Sequence, residues 1–170
     1  MENNSNSPAV APQPARPVFL TVLCILTFIG SSIGIIGGII NYISAKTAAE
    51  LVKTATEDAQ QKLEAGDNGA NKLAEKMMSG IEPMQNPENI RKNALFRVAG
   101  SLLTLLGGIL MFSLRKIGFW SYILGTIIAV AGPFVAFGAG NIFGILSSSI
   151  LAFLGILFVV LYSLNFKYLK

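Results

Sequence analysis

Residues 98–139 read VAGSLLTLLGGILMFSLRKIGFWSYILGTIIAVAGPFVAFGA. Two runs without a single Asp, Glu, Lys, Arg or His, Val98–Leu114 and Ile117–Ala139, flank the dipeptide Arg115-Lys116. A helix of about 17–25 apolar residues is long enough to cross a bilayer core of about 30 Å. A connection this short between two such helices requires them to lie antiparallel, and two cations in it keep the turn in water. The stretch therefore predicts a transmembrane helical hairpin.

Two more uncharged runs, Val18–Tyr42 and Ile142–Leu164, lie on either side of it, and the four together make up about half of the chain. Gly140-Asn141 gives the third and fourth spans another tight connection. The 170 residues are 52% hydrophobic and only 13% charged, a composition that disfavours a water-soluble domain. The expectation is an all-α integral membrane four-helix bundle with a helical extramembrane segment between helices 1 and 2. In sequence order this gives a Pro-rich tail at 1–17, a first span at 18–43 and an amphipathic segment at 44–92. Spans at 93–114, 117–139 and 142–164 follow, then a basic tail at 165–170.

The first apolar run is longer than the 7–15 residues of a signal-peptide core, so it reads as a retained helix, although Ile43-Ser44-Ala45 is a tolerable cleavage site. Residues 1–17, MENNSNSPAVAPQPARP, have no apolar periodicity and read as a solvated, partly polyproline-like tail; Pro14-Ala15-Arg16-Pro17 matches a PxxP pattern. Within 44–92, Ala48, Leu51, Val52, Ala55, Ala59 and Leu63 recur at three- and four-residue spacing and predict an amphipathic helix with a weak apolar face. Gly66-Asp67-Asn68-Gly69 supplies a turn. A second short helix is expected over 70–78, stopped by Ser79-Gly80 and Pro83. Asn86-Pro87-Glu88 then reads as a helix start, with Asn capping and Pro at the first helical position.

All four spans carry small residues at four-residue spacing, the pattern that lets helix backbones approach closely. They are Gly30, Gly34 and Gly38 in the first, Gly100, Thr104 and Gly108 in the second, Ser121, Gly125 and Ala129 in the third, and Gly144, Ser148 and Ala152 in the fourth. Packing within one bundle and a homodimer seam on the first span both fit. Pro133, inside the third span, should kink it about one turn earlier, near Ala129. Arg97, Arg115, Lys116 and Trp120 read as interface anchors at span ends; the sharper reading of Arg97 is a cation lining a cavity.

With both termini cytoplasmic, that face would carry Arg16, Arg115, Lys116, Lys167 and Lys170. Lys46, Arg91, Lys92 and Arg97 argue for the opposite orientation, and the compact Arg-Lys turn favours the first.

Arg16-Pro-Val-Phe-Leu-Thr-Val-Leu-Cys-Ile-Leu-Thr-Phe-Ile-Gly-Ser32, together with Arg115-Lys-Ile-Gly-Phe-Trp-Ser-Tyr122, resembles small uncharacterised four-span membrane proteins of Gram-negative bacteria. The resemblance covers both halves of the membrane part but not the 45–92 segment. It implies a multi-pass protein of the bacterial inner membrane, and it implies no activity and no site residues.

The chemistry that is missing narrows the function classes. There is no histidine, and the single cysteine, Cys24, lies mid-span, where it reads as a packing residue. No nucleophile with a base, no phosphate-cradling loop and no metal-ligand cluster is present, so no cofactor, no metal and no enzymatic activity are expected. The net charge of +4 belongs to span ends and is not a basic patch with interleaved aromatics, so nucleic acid is not an expected partner. The expected partners are the lipid bilayer and other membrane proteins or a second copy of the chain. The leading expectation is a non-enzymatic structural, assembly or partner-binding component. The alternative is a small transporter, channel or lipid-binding subunit, using the polar residues within spans, Thr27, Ser31, Ser32, Asn41, Thr104, Thr126 and Ser147–Ser149.

Overall fold

The computed structural model describes residues 17–64 and 77–170, all of whose regular structure is helical. The PxxP tail through Arg16 and most of the short helix expected over 70–78 lie outside the described residues. Helix α1 spans Val18–Ile43 and α2 Ala45–Glu64, with Ser44 as the joint between them. A helical turn at 77–81 passes into a 3-10 turn at Glu82–Gln85, followed by α3 (Pro87–Phe112), α4 (Ile117–Phe137) and α5 (Ile142–Leu164). Helices α1, α3, α4 and α5 are each long and apolar enough to cross a membrane, which makes this an all-α bundle of four candidate spans. Their outward side chains are large and apolar, as a lipid-facing surface requires.

The α3–α4 hairpin is the spine of the bundle. A Cβ on Gly100 would lie 2.8 Å from the Gly125 carbonyl oxygen, and one on Gly125 would lie 2.7 Å from that of Gly100. The same reciprocal approach recurs between Gly107 and Gly118, at 2.8 and 2.6 Å. Gly132 continues the series against Phe96 and Asn93. Along α3 the positions are 93, 100 and 107, and along α4 they are 118, 125 and 132. A seven-residue repeat keeps one seam facing the partner along the whole contact, which is the geometry of a left-handed antiparallel pair. Ser121 Oγ donates across the same seam to the Leu103 carbonyl at 3.0 Å.

Helix α1 lies on one flank of the hairpin, against α3, and α5 on the other, against α4. On α1 the packed stripe is Thr27, Ser31, Gly34 and Gly38, all buried; Gly34 meets Ser101, and Gly38 meets Val98 and the Ala94 carbonyl. Ser148 Oγ of α5 donates to the Val130 carbonyl at 3.1 Å, and Gly155 is pressed against the Thr126 side chain. Helix α4 runs through Pro133 to Phe137, and Gly138 ends it at φ +89.

The bundle is plugged at the end holding the start of α1 and the finish of α5. Leu20, Leu23 and Cys24 of α1 join Met111, Tyr122, Tyr162 and Leu169 in one buried cluster. Thr27 Oγ1 and Tyr162 Oη, 2.7 Å apart, tie α1 to α5 there. The α3–α4 turn closes as a Schellman motif, Arg115 N–H bonding to Leu110 O and Leu114 N–H to Met111 O, each at 2.9 Å. Leu114 takes the left-handed position at φ 61 that glycine usually fills. The last residue braces this turn through Lys116 N–H to Lys170 O and Lys170 N–H to Leu114 O.

At the opposite end a small cap sits on the bundle. Asn86 Oδ1 accepts from the Glu88 N–H at 2.9 Å, capping α3, and Asn89 Nδ2 donates to the Pro83 carbonyl at 3.0 Å. Asn141 Oδ1 caps α5 through the Gly144 N–H at 2.8 Å, while its Nδ2 donates to the Gly80 carbonyl. The 77–85 stretch is thereby docked on the α4–α5 turn, and Gly80 approaches Ile142 and Phe143 too closely for a side chain. Gly80 lies within the helical turn instead of ending it, and its carbonyl is engaged by Asn141. On α2 the buried side is Ala45, Ala49 and Thr56, with Ala48 and Val52 of the expected face half-buried beside them, whereas Leu51, Ala55 and Ala59 of that face are exposed. Small residues at 45 and 49 let α2 lie close to its neighbours, and the bulkier Leu51 is left outside.

Candidate functional site

Because α1 and α5 sit on opposite flanks of the hairpin and meet only near Thr27 and Tyr162, a gap opens between them toward the cap end. It contains a cavity of about 260 Å³ that reaches all four spans. Gly100 and Thr104 of α3 and Thr126 and Ala129 of α4 line its back wall, and Tyr122 and Phe158 close its foot. These two rings stack with centroids 6.4 Å apart, directly above the plugged core. Leu26 of α1 and Leu151 and Leu154 of α5 stand at the sides and are 48%, 42% and 47% exposed, so the opening faces the surrounding lipid.

Gly30 belongs to this cleft. A Cβ built on it would meet nothing within 4 Å, so its expected role in helix packing does not hold. The reason is helical geometry. Residues four apart advance about 40° more than one full turn, so a stripe centred on Gly34 and Gly38 has rotated away from α3 by Gly30. Thr27 and Ser31 take over the contact, and Gly30 is left facing the gap. Of the other glycines singled out from spacing, Gly34, Gly38, Gly100, Gly108 and Gly125 lie at close approaches. Gly108 is set against Phe28 and Thr27, Gly100 and Gly125 against each other, and Gly144 in ordinary contact, 3.4 Å, with the Pro133 carbonyl. The four-residue stripes do not include Gly118 or Gly155, and Gly107 only widens the small face beside them; a seven-residue spacing from Gly100 and Gly125 reaches both Gly107 and Gly118.

The hydroxyls around the cleft are mostly engaged. Ser31 Oγ and Thr104 Oγ1 pair at 2.9 Å, Thr104 Oγ1 also donates to Ser101 O at 3.0 Å, and Thr126 Oγ1 donates to Tyr122 O at 3.0 Å. Satisfied hydroxyls present mainly methyl and methylene surface, so the wall behaves as apolar. Ser147 and Ser148 are likewise bonded, to Gly144 O and Val130 O. Below the cleft the fully buried Leu20, Cys24, Met111 and Tyr162 leave no passage toward the terminal end.

One cation stands above the cleft. Arg97 is exposed, and a Cβ on Gly37 would lie 3.4 Å from its Nη2, so the guanidinium lies on α1 where a side chain is missing. Among the described residues it has no hydrogen bond and no ion pair. Arg91 lies over the Tyr42 ring at 5.6 Å, and its buried Nε likewise has no hydrogen-bond partner among the described residues. Trp120 is 63% exposed at the terminal end of α4, beside the exposed Arg115 and Lys116; Lys116 Nζ lies 5.8 Å from the Phe166 ring centroid. No group of three or more metal-ligating side chains occurs among the described residues. Compared with protein-family models, curated proteins and solved structures, the chain matches none of the three.

Proposed function

We propose that this multi-pass membrane protein is a non-enzymatic lipid-binding component of a bacterial inner membrane. The cleft between α1 and α5 supports this reading. It is preformed, apolar in character and open sideways to the bilayer, and it is closed at its foot by Tyr122 and Phe158. Its volume of about 260 Å³ is near the lower end of ligand pockets, which run from about 300 Å³. That suits a single flexible chain and is too narrow for a helix of a partner. The dense core beneath it speaks against a through-channel in this conformation.

The test uses a phospholipid carrying a photoreactive diazirine in its acyl chain, reconstituted with the full chain in vesicles. Crosslinks should concentrate on residues lining the cleft, such as Leu26, Leu151 and Leu154, and should fall sharply in Gly30→Trp, whose indole would fill the space beside α1. Labelling spread evenly over all lipid-facing side chains would sink the proposal.

A second reading is favoured by the docked cap. Asn141 fixes 77–85 on the bundle, while Leu51 on α2 remains 67% exposed among charged neighbours. An assembly role, with α2 as the contact surface for another membrane protein, follows from that arrangement. Crosslinking from position 51 in native membranes would recover one recurrent neighbour if it is right and only random ones if it is wrong. For orientation we infer cytoplasmic termini, since Arg115, Lys116, Lys167 and Lys170 come together at one end.

A further inference from the structure

We propose that the cleft is the acyl-chain half of a site for one whole glycerophospholipid, and that Arg97 is its headgroup half, binding the phosphate. This rests on the lipid-binding reading above and adds a headgroup to it.

Two observations place Arg97 at the mouth of the same groove. Gly30, which looks into the cleft, and Gly37, on which the guanidinium lies, are seven residues apart on α1 and therefore share a face. Arg97, Gly100 and Thr104 follow one another at three and four residues on α3, and the last two line the cavity. The groove thus continues upward from the cavity, past Gly30, to a cation.

Its length fits a lipid. Leu26, low on the cleft wall, and Gly37, under the guanidinium, are eleven residues apart on a helix that rises 1.5 Å per residue, which is about 16 Å. One leaflet supplies about half of a 30 Å hydrocarbon core. A phosphate on Arg97 therefore lets one acyl chain reach the Phe158 ring without crossing into the other leaflet.

The electrostatics fit as well. A guanidinium at the hydrocarbon boundary of a span gains from a counter-charge, and Arg97 has none among the described residues. A phosphodiester accepts two parallel N–H bonds from a guanidinium in the geometry that makes such pairs strong. Glycine at 37 leaves the α1 side of the guanidinium free of a side chain that would compete for this space.

Native mass spectrometry of the full chain released from detergent tests the proposal, using phosphatidylglycerol, diacylglycerol with the same acyl chains, and inorganic phosphate as separate probes. The wild type should retain one phosphatidylglycerol, at an occupancy well above that of diacylglycerol. Arg97→Gln should lower phosphatidylglycerol retention by about tenfold or more and leave diacylglycerol unchanged. Arg97→Lys should recover part of it. Gly30→Trp should lose both lipids. Equal retention of phosphatidylglycerol by the wild type and Arg97→Gln, or equal retention of both lipids by the wild type, overturns the headgroup site while leaving the chain site standing. Saturation by inorganic phosphate at millimolar concentration in place of lipid also overturns it. Unchanged binding of both lipids in Gly30→Trp removes the cleft itself. Circular dichroism and thermal melting of each variant separate these outcomes from misfolding.

Discussion

Gly100 and Gly125 face each other across the α3–α4 seam so closely that a methyl group on either would strike the other's backbone, within 2.8 and 2.7 Å of the opposing carbonyl oxygen. Backbone cannot step aside as a flexible side chain can. Gly125→Leu should therefore pry the hairpin apart, at a cost in the usual overpacking range of about 1–3 kcal/mol or beyond. Gly30→Ala, also a glycine within a span but with open space around it, should stay within about 0.5 kcal/mol of wild type. Thermal unfolding in detergent measures both. Indistinguishable melting of the two variants would show that the seam carries no special stability.

Gly138 adopts φ +89 with ψ 149, a region that a side chain makes costly by about 1–3 kcal/mol. Gly138→Ala should lower the melting transition, whereas Gly140→Ala, two residues on, should leave it in place; a Cβ at either position meets nothing within 4 Å, so the positive φ alone separates them. Equal melting of the two variants would show that the φ of Gly138 carries no cost.

Asn141 does two jobs with two atoms, and the jobs separate by substitution. Asn141→Ala removes both the α5 cap and the link to the Gly80 carbonyl, and the cap alone is worth about 0.5–2 kcal/mol. Asn141→Asp keeps the acceptor for Gly144 and loses the donor to Gly80. Hydrogen exchange of amides 77–85 should accelerate in both variants, while the first turn of α5 should be disturbed only in the alanine variant. Unaltered exchange at 77–85 would mean that the cap is held by other contacts.

Leu169 is 3% exposed in the terminal core, in the same cluster as the fully buried Cys24. A carboxylate there has no partner and should loosen the plug. Leu169→Asp is expected to raise the rate at which a maleimide labels Cys24, the only thiol in the chain, by an order of magnitude or more over wild type. Labelling at the wild-type rate would show that the core closes without the tail.

The sequence displayed the architecture plainly, and physics explains why. Uncharged runs of span length have few alternatives in water or lipid, and Arg115-Lys116 and Gly140-Asn141 left room only for tight antiparallel turns. Asn86-Pro87-Glu88 marked the start of α3 because cap chemistry is local. What the sequence concealed depends on rotation about helix axes. A four-residue stripe drifts around a helix, so Gly30 shares the spacing of Gly34 and Gly38 yet faces the gap, while the seam on α3 follows the seven-residue series at 93, 100 and 107. Likewise the spacing of Leu51 on α2 does not reveal that the smaller alanines allow the closer approach. The Asn141–Gly80 bond joins residues 61 positions apart and had no local signature. The cleft itself is a property of which helices fail to touch, and no single segment records that.

The bond between Thr27 and Tyr162 joins residues 135 positions apart, so the first and the last span are tied to each other near one end of the bundle and are otherwise each held through the hairpin. The gap beside Arg97 is thus the place where the two flanks answer to α3 and α4 and not to one another.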